Sequence, residues 1–314
     1  MKLSLKTLVD PEKAALARAR FHAWWEGEAF DPMTFAAARR GSVEAVDAAV
    51  EGQGPSEPPP SEAPPPDPRL TALQILWGGH RLMPGEAAED RLQPARLGLP
   101  ATGTLAILGP GLAGPVLASA EAHPGTILAY EWREEAVPHV RHLLSGLGDR
   151  ARVESLDLDL FAVPSDAWDG AWSLDEFSYA PNPSRLAVQI AKGLKPGASV
   201  IIECYAVEGR FSASSAFASA FAEPHLLEAG ALKAVLSIAG LGLEDAEDLT
   251  QAHLLAAKEG FRRLEQALSL MASQGFEAGV AREIAWEAEG WAHRMSALHV
   301  GKLTRRRFVF RKPD

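Results

Sequence analysis

The run Thr104–Ala118, TLAILGPGLAGPVLA, decides the fold. Its opening residues are continuously apolar, the pattern of a strand covered on both faces, and the apolar run resumes as a helix-like stretch after Gly109, Gly111 and Gly114. Glycine lets the chain turn tightly and bring backbone N–H groups close to a ligand, and the helix behind the turn presents its positive end there. The next apolar run, TILAYEW at 126–132, places Glu131 at the end of a second strand. A carboxylate in that position is suited to accept hydrogen bonds from ribose hydroxyls. This is the layout of a nucleotide-type cofactor site, although G-x-G-x-x-G by itself does not say which nucleotide.

Strand and helix signals alternate from Arg69 onward, which predicts a parallel sheet with helices on its faces. ARVESLD (151–157), WDGAWSLD (168–175) and ASVIIECY (198–205) read as further strands, LEDAEDLT (243–250) as a sixth and RRFVFRK (306–312) as the last. Helices are expected over 134–148, with Pro138 restricting it, over 184–194, over 225–242, and as two long segments at 251–273 and 277–299. Residues 1–51 read as a small helical N-terminal segment. Residues 52–68, GQGPSEPPPSEAPPPDP ending at Pro68, are too rich in proline to bury a core and read as a semi-rigid linker. Trp24 and Trp25 in the N-terminal segment either pack back on the main domain or dock on a protein partner.

Composition narrows the classes. A formal charge of −10 argues against general nucleic-acid binding, and the basic triplet Arg305, Arg306 and Arg307 reads as a solvated turn before the last strand. No apolar run approaches the roughly 18 residues of a membrane span, and the first residues carry acids and a proline where a signal peptide needs an apolar core. A cytoplasmic location is therefore expected. Cys204 is the single cysteine, which leaves no internal disulfide and no cysteine-based zinc site. His139 and His142 share a helical spacing but lack a third ligand nearby, so no metal site is expected.

The order of elements after the fifth strand, together with several motifs, resembles the class I S-adenosylmethionine-dependent methyltransferases. The motifs are the glycine turn, Glu131, SLDLDLF (155–161), WDGAWSLDEFSYAPNP (168–183) and LKPGASVIIE (194–203). ALQILWGGHRLMPGEAAEDRL (72–92), with Trp77, Gly78, Gly79, Pro84 and Gly85, is similar to the segment that closes over the cofactor in the phosphoethanolamine and sterol methyltransferase-like group. The resemblance implies an α/β fold with a Rossmann-like seven-stranded methyltransferase sheet, its last strand antiparallel, over 69–314. A helical cap is expected around 251–300. It implies S-adenosyl-L-methionine as cofactor, held by Trp77, Gly78, Gly109, Gly111, Gly114, Glu131 and Trp132, with Asp157 and Asp159 near adenine. It also implies a small-molecule acceptor.

Methyl transfer from a sulfonium is an in-line displacement in which positioning supplies most of the rate, so no catalytic triad is required. Asp175, Glu176 and Tyr179 follow the fourth strand on the ligand-binding side of such sheets and are the candidate catalytic residues; the alternative is that they are ordinary loop residues. Glu203 and Tyr205 are weaker candidates of the same kind. Trp286, Trp291, His253 and Arg262 belong either to a lid or to the core of the late helices. Two departures stand out: Ile107 occupies the place of the family's first acid and Ala113 that of its third glycine, while Pro110 removes a backbone N–H from the turn. They leave open a second reading, a non-catalytic relative, or pseudoenzyme, that acts by association.

Overall fold

The computed structural model describes residues 67–208, 225–271 and 277–314. The N-terminal segment, the linker up to residue 66 and the Trp24/Trp25 pair lie outside the described residues. The sheet contains β1 (Thr104–Leu108), β2 (Thr126–Glu131), β3 (Ala151–Ser155), β4 (Trp168–Leu174), β5 (Leu194–Val207), β6 (Gly242–Asp248) and β7 (Leu303–Arg311). Their order is β3-β2-β1-β4-β5-β7-β6. β1 pairs in parallel with β2 and β4, and β7 runs antiparallel between β5 and β6, as the resemblance implies. The central position of β1 explains its sequence. Leu105 to Leu108 are fully buried, with Ile107 packed into one apolar layer and Ala106 and Leu108 into the other.

One face of the sheet carries α1 (Pro68–Trp77), α2 (Gly114–Ala122) and α3 (Ala136–Leu144). The other carries α4 (Pro183–Gly193) and α5 (Ala229–Ile238). The long helices α6 (Thr250–Met271) and α7 (Ala278–His299) enter between β6 and β7 and join α1 on the first face. Pro138 sits in the first turn of α3, where its missing N–H has no intrahelical partner to lose. Helix α5 is shorter than the expected 225–242, and β5 begins at Leu194, four residues ahead of its expected start, with a register shift between Trp168 and Gly170 on β4.

Helix α1 starts on the last residue assigned to the linker. The Asp67 carboxylate accepts from Leu70 N at 2.8 Å and Pro68 fills the first helical position, so capping chemistry rather than apolar periodicity sets this boundary. Trp77, at its end, packs between Phe261 of α6 and Trp291 of α7, with ring centroids 5.9 and 4.9 Å away. Arg69 pairs with Glu287 at 2.8 Å and Glu283 at 3.4 Å, fixing α1 along α7. The close approach of α6 depends on Gly260, where a Cβ would lie 2.4 Å from the Trp77 ring and 3.0 Å from the Leu76 carbonyl. Gly260→Ala is therefore expected to lower stability. Overpacking of about 1–3 kcal/mol outweighs a helix-propensity gain of about 1 kcal/mol, and a raised denaturation midpoint would contradict this packing.

The arginine triplet does not form a solvated turn. All three residues lie within β7, and Arg305 and Arg307 are buried. Strand alternation puts these two on one face, where Arg307 meets Glu203 at 2.8 Å, Glu247 at 2.9 Å and Glu89 at 2.7 Å. Arg306, on the other face, meets Glu208 at 2.9 Å and Asp248 at 3.2 Å. The acids of β6 are the register partners of these arginines, so the charge run is a cross-strand ladder. No helix among the described residues is long and apolar enough to cross a membrane, and no cluster of three or more potential metal ligands occurs among them.

Candidate functional site

The glycine turn closes the carboxyl end of β1. Gly109 N donates to the Tyr130 carbonyl at 2.7 Å, extending the β1–β2 ladder by one bond. Gly109 and Gly111 have φ of 64° and 72°, the left-handed region that favours glycine. Gly114 is needed for a different reason. A Cβ there would lie 2.3 Å from the Gly79 carbonyl oxygen and 2.8 Å from that of His80, and Gly114 N donates to His80 O at 2.8 Å. The segment after α1 thus sits directly on the start of α2. Ala113 has helical φ of −76°, so alanine carries no left-handed strain there.

Glu131 is fully buried and holds this turn in place. Its Oε2 accepts from Gly111 N at 2.6 Å, while Oε1 accepts from Arg133 N at 2.9 Å and Arg133 Nη1 at 2.8 Å. Burial alone would lower the pKa of Arg133, but Glu131, together with Tyr179 and Glu176, outweighs it and keeps the guanidinium charged. That guanidinium lies 4.1 Å over the Trp132 ring and 6.0 Å from the Tyr179 ring, and the two rings are 4.9 Å apart. Arg133 escaped the sequence reading. Its only signal is its place beside Glu131 at the end of a buried strand.

Past β4, Asp175 adopts φ of 74°, rare for a residue with a side chain. It is held by an ion pair with Arg305 and by its own N–H, which donates to Glu203 O at 2.9 Å. Burial lowers the Arg305 pKa, but Asp175, together with Tyr205, Glu203 and Cys204, outweighs it and leaves the pKa raised. Glu176 is also fully buried. Its Oε2 accepts from Ser173 Oγ at 2.5 Å, and its Oε1 has no hydrogen-bond partner. Burial pushes this carboxyl up to about 8, and Glu131 and Asp175 add to the shift. Oε1 lies only 1.6 Å from where a Cβ on Gly109 would stand.

Of the residues singled out in the sequence, Gly109, Gly111, Gly114, Glu131, Trp132, Glu176 and Tyr179 are thus assembled around one turn. Trp77 is a core residue between α6 and α7, and Gly78 ends α1. Asp157 and Asp159 are exposed beyond β3, where the Asp157 carboxylate accepts from Asp159 N and Leu160 N at 2.8 and 2.9 Å. Trp291 is buried in the core, Trp286 is half-buried, and Arg262 pairs with Glu259 on the surface.

Tyr205, with His253 of α6, forms a second buried pair at the end of β5. Tyr205 Oη and His253 Nε2 are 2.6 Å apart, and Arg294 and Arg305 lie 4.2 and 5.0 Å from the Tyr205 ring. Burial, then Arg305 and Arg294, hold the imidazole pKa well below its ordinary value. Below about pH 6.5 the unfolded chain binds a proton at this histidine that the folded chain does not, so its contribution to stability falls as pH drops. Between pH 7.5 and 5.5 wild type is expected to lose about 1 kcal/mol more than His253→Gln. Comparing urea midpoints of the two proteins cancels the opposite contribution of Glu176, and identical pH slopes would contradict the assignment.

No protein-family model and no curated protein matches the sequence. Solved structures do. A Haemonchus contortus phosphoethanolamine N-methyltransferase 2, in complex with phosphomonomethylethanolamine and S-adenosylhomocysteine, gives a TM-score of 0.68 at 18% identity, covering 78% of this chain and 57% of that one. The [4+2]-cyclase SpnF gives 0.62 at 18% identity, covering 78% and 93%. A Streptomyces coelicolor geranyl diphosphate C-methyltransferase, in complex with magnesium, geranyl diphosphate and S-adenosylhomocysteine, gives 0.55 at 14%, covering 90% and 98%. The chain spans little more than half the length of the first of these. It has the Rossmann-like fold of class I S-adenosylmethionine-dependent methyltransferases. A cyclase on the same fold shows that the fold does not set the reaction.

Proposed function

We propose that the chain binds S-adenosyl-L-methionine at the glycine turn and transfers its methyl group to a small-molecule acceptor. The observation that carries this reading is the cradle at Gly109. Two left-handed glycines, the buried Glu131 carboxylate, the Trp132 and Tyr179 rings and a Glu176 oxygen without a partner converge there. Such a donor set fits a cationic nucleoside: carboxylates for its positive charge and hydroxyls, aromatic faces for its base and sulfonium. When bound, the cofactor supplies an electrophilic methyl group. The chain's own part is to bind and orient.

Glu131 holds Gly111 and retains lone-pair capacity for a ribose hydroxyl, since three hydrogen bonds leave room on a carboxylate for a fourth. Asp157, by turning from the loop bonds its carboxylate now accepts, or Asp159 would reach the adenine. On the acceptor side, Asp175 and Tyr179 line the same end of the sheet. The acceptor site would extend from them toward α6 and α7.

A specific observation favours a second reading, a non-catalytic protein that acts by association. Arg133 already supplies a cation to Glu131 and lies over Trp132, so the cradle is partly satisfied from within. The readings part on thermal unfolding. A ligand held 100-fold above its Kd stabilises by about 2.7 kcal/mol, so saturating S-adenosylhomocysteine is expected to raise the Tm by several degrees while NAD does not. An unchanged Tm favours the association role.

A further inference from the structure

Glu176 has one carboxyl oxygen hydrogen-bonded to Ser173 and the other bare, in a position with no access to solvent. Leaving a buried acceptor unpaired is unfavourable, and native proteins retain few such groups without a role for them. The bare oxygen is lodged against the α-carbon of Gly109, and the Leu174 carbonyl oxygen lies on the same side, 2.8 Å from the position of a Gly109 Cβ. β1 brings only apolar side chains to this spot, Ile107 and Leu108 being fully buried. Three acids meet at the ends of β2 and β4. Arg133 compensates Glu131 and Arg305 compensates Asp175, whereas Glu176 is paired with a hydroxyl.

On the reading proposed above, we infer that Glu176 is the residue that receives the α-ammonium of the donor's amino-acid end, with the Leu174 carbonyl as a second acceptor. An ammonium carries three donors and suits two oxygens on one side of a turn. Glu176 is thereby a binding and orienting residue for the donor, and the acceptor side is left to its neighbours. Burial sets its protonation first and favours the neutral acid. The bonds from Ser173 and from its own backbone N–H oppose this, and the carboxylates of Glu131 at the end of β2 and Asp175 beside it add to the burial effect. The Arg133 guanidinium and the Cys204 thiol on β5 are the other titratable groups that interact with it. The carboxyl holds its proton in the free protein and loses it when the ammonium arrives.

The test is calorimetric titration of the full chain and of Glu176→Gln with two ligands: S-adenosylhomocysteine, and 5′-methylthioadenosine, which has the nucleoside and sulfur but no amino acid. Glutamine matches the size of the protonated acid. Glu176→Asp, which keeps the carboxyl but withdraws it, serves if the glutamine protein does not fold. Either variant is expected to weaken S-adenosylhomocysteine roughly tenfold to a hundredfold, the range for a charge-assisted hydrogen bond, and to leave methylthioadenosine within about twofold, well inside one hydrogen bond's worth of affinity. At pH 7, titrations in two buffers of different ionisation enthalpy should show proton release with S-adenosylhomocysteine on wild type, and none with methylthioadenosine. Equal weakening of both ligands, or an unchanged affinity for S-adenosylhomocysteine, overturns the role of Glu176 while the donor site stands. Failure of both ligands to bind wild type overturns the donor site and this role together.

Discussion

Glu131→Ala is expected to destabilise the fold by about 3–5 kcal/mol, before any effect on a ligand is considered. Glu131 is fully buried and the Arg133 side chain beside it is 6% exposed, so removing the carboxylate leaves a guanidinium inside the protein without its anion. It also strips Gly111 N of its acceptor at the left-handed turn. Breaking one partner of such a pair is far more damaging than replacing both, because the residual charge stays desolvated. The same logic orders the variants: Glu131→Gln keeps an oxygen for one of the donors and should lose less. Urea midpoints at neutral pH check this. An alanine variant within 1 kcal/mol of wild type would mean that Arg133 finds solvent, and that the pair does not hold the turn in the manner described. Loss of ligand binding in Glu131→Ala therefore has to be read beside its stability.

Gly109→Ala should be comparably severe, for a steric reason. A methyl group there would stand 1.6 Å from Glu176 Oε1, 2.7 Å from its Cδ and 2.8 Å from the backbone oxygen of Leu174. The carboxyl could swing away only by giving up its bond to Ser173, and the carbonyl belongs to β4 and cannot swing. The left-handed φ of 64° adds about 1 kcal/mol to an overpacking term of about 1–3 kcal/mol, and the displaced carboxyl deforms the cradle. Loss of S-adenosylhomocysteine binding is expected with the loss of stability. An alanine protein that melts and binds like wild type would contradict the lodging of Glu176 against the turn.

The fold was legible in the sequence wherever burial leaves a one-dimensional pattern. TLAIL read as the first strand of a sheet covered by helices, and Gly109 and Gly111 marked a turn that only glycine favours; that the strand is central came from the sheet order. Ala113, a departure from the family's motif, proves harmless because its φ is helical, a fact that spacing does not carry. What remained hidden was pairing. Counted by composition, Arg305, Arg306 and Arg307 look solvated; their register partners on the acidic strand β6 and the buried Asp175 and Glu203 make them structural. The bare oxygen of Glu176 was invisible for the same reason, since it is defined by the turn after β1 that lies against it. Arg133 is paired within its own strand end and is marked only by the burial of Glu131 beside it. Trp77 read as a cofactor contact, but α6 and α7 enclose it, and helix packing of that kind has no local signature.

The most direct measurement is calorimetric titration of the intact chain with S-adenosylmethionine and S-adenosylhomocysteine, with NAD as the control. Binding of both sulfur nucleosides at one site per chain, with no heat from NAD, is the result expected from a glycine turn backed by Glu131 and Glu176. No heat from either nucleoside at concentrations reaching the millimolar range, with a folded protein in the cell, would contradict the donor site and leave the association role as the reading of this fold.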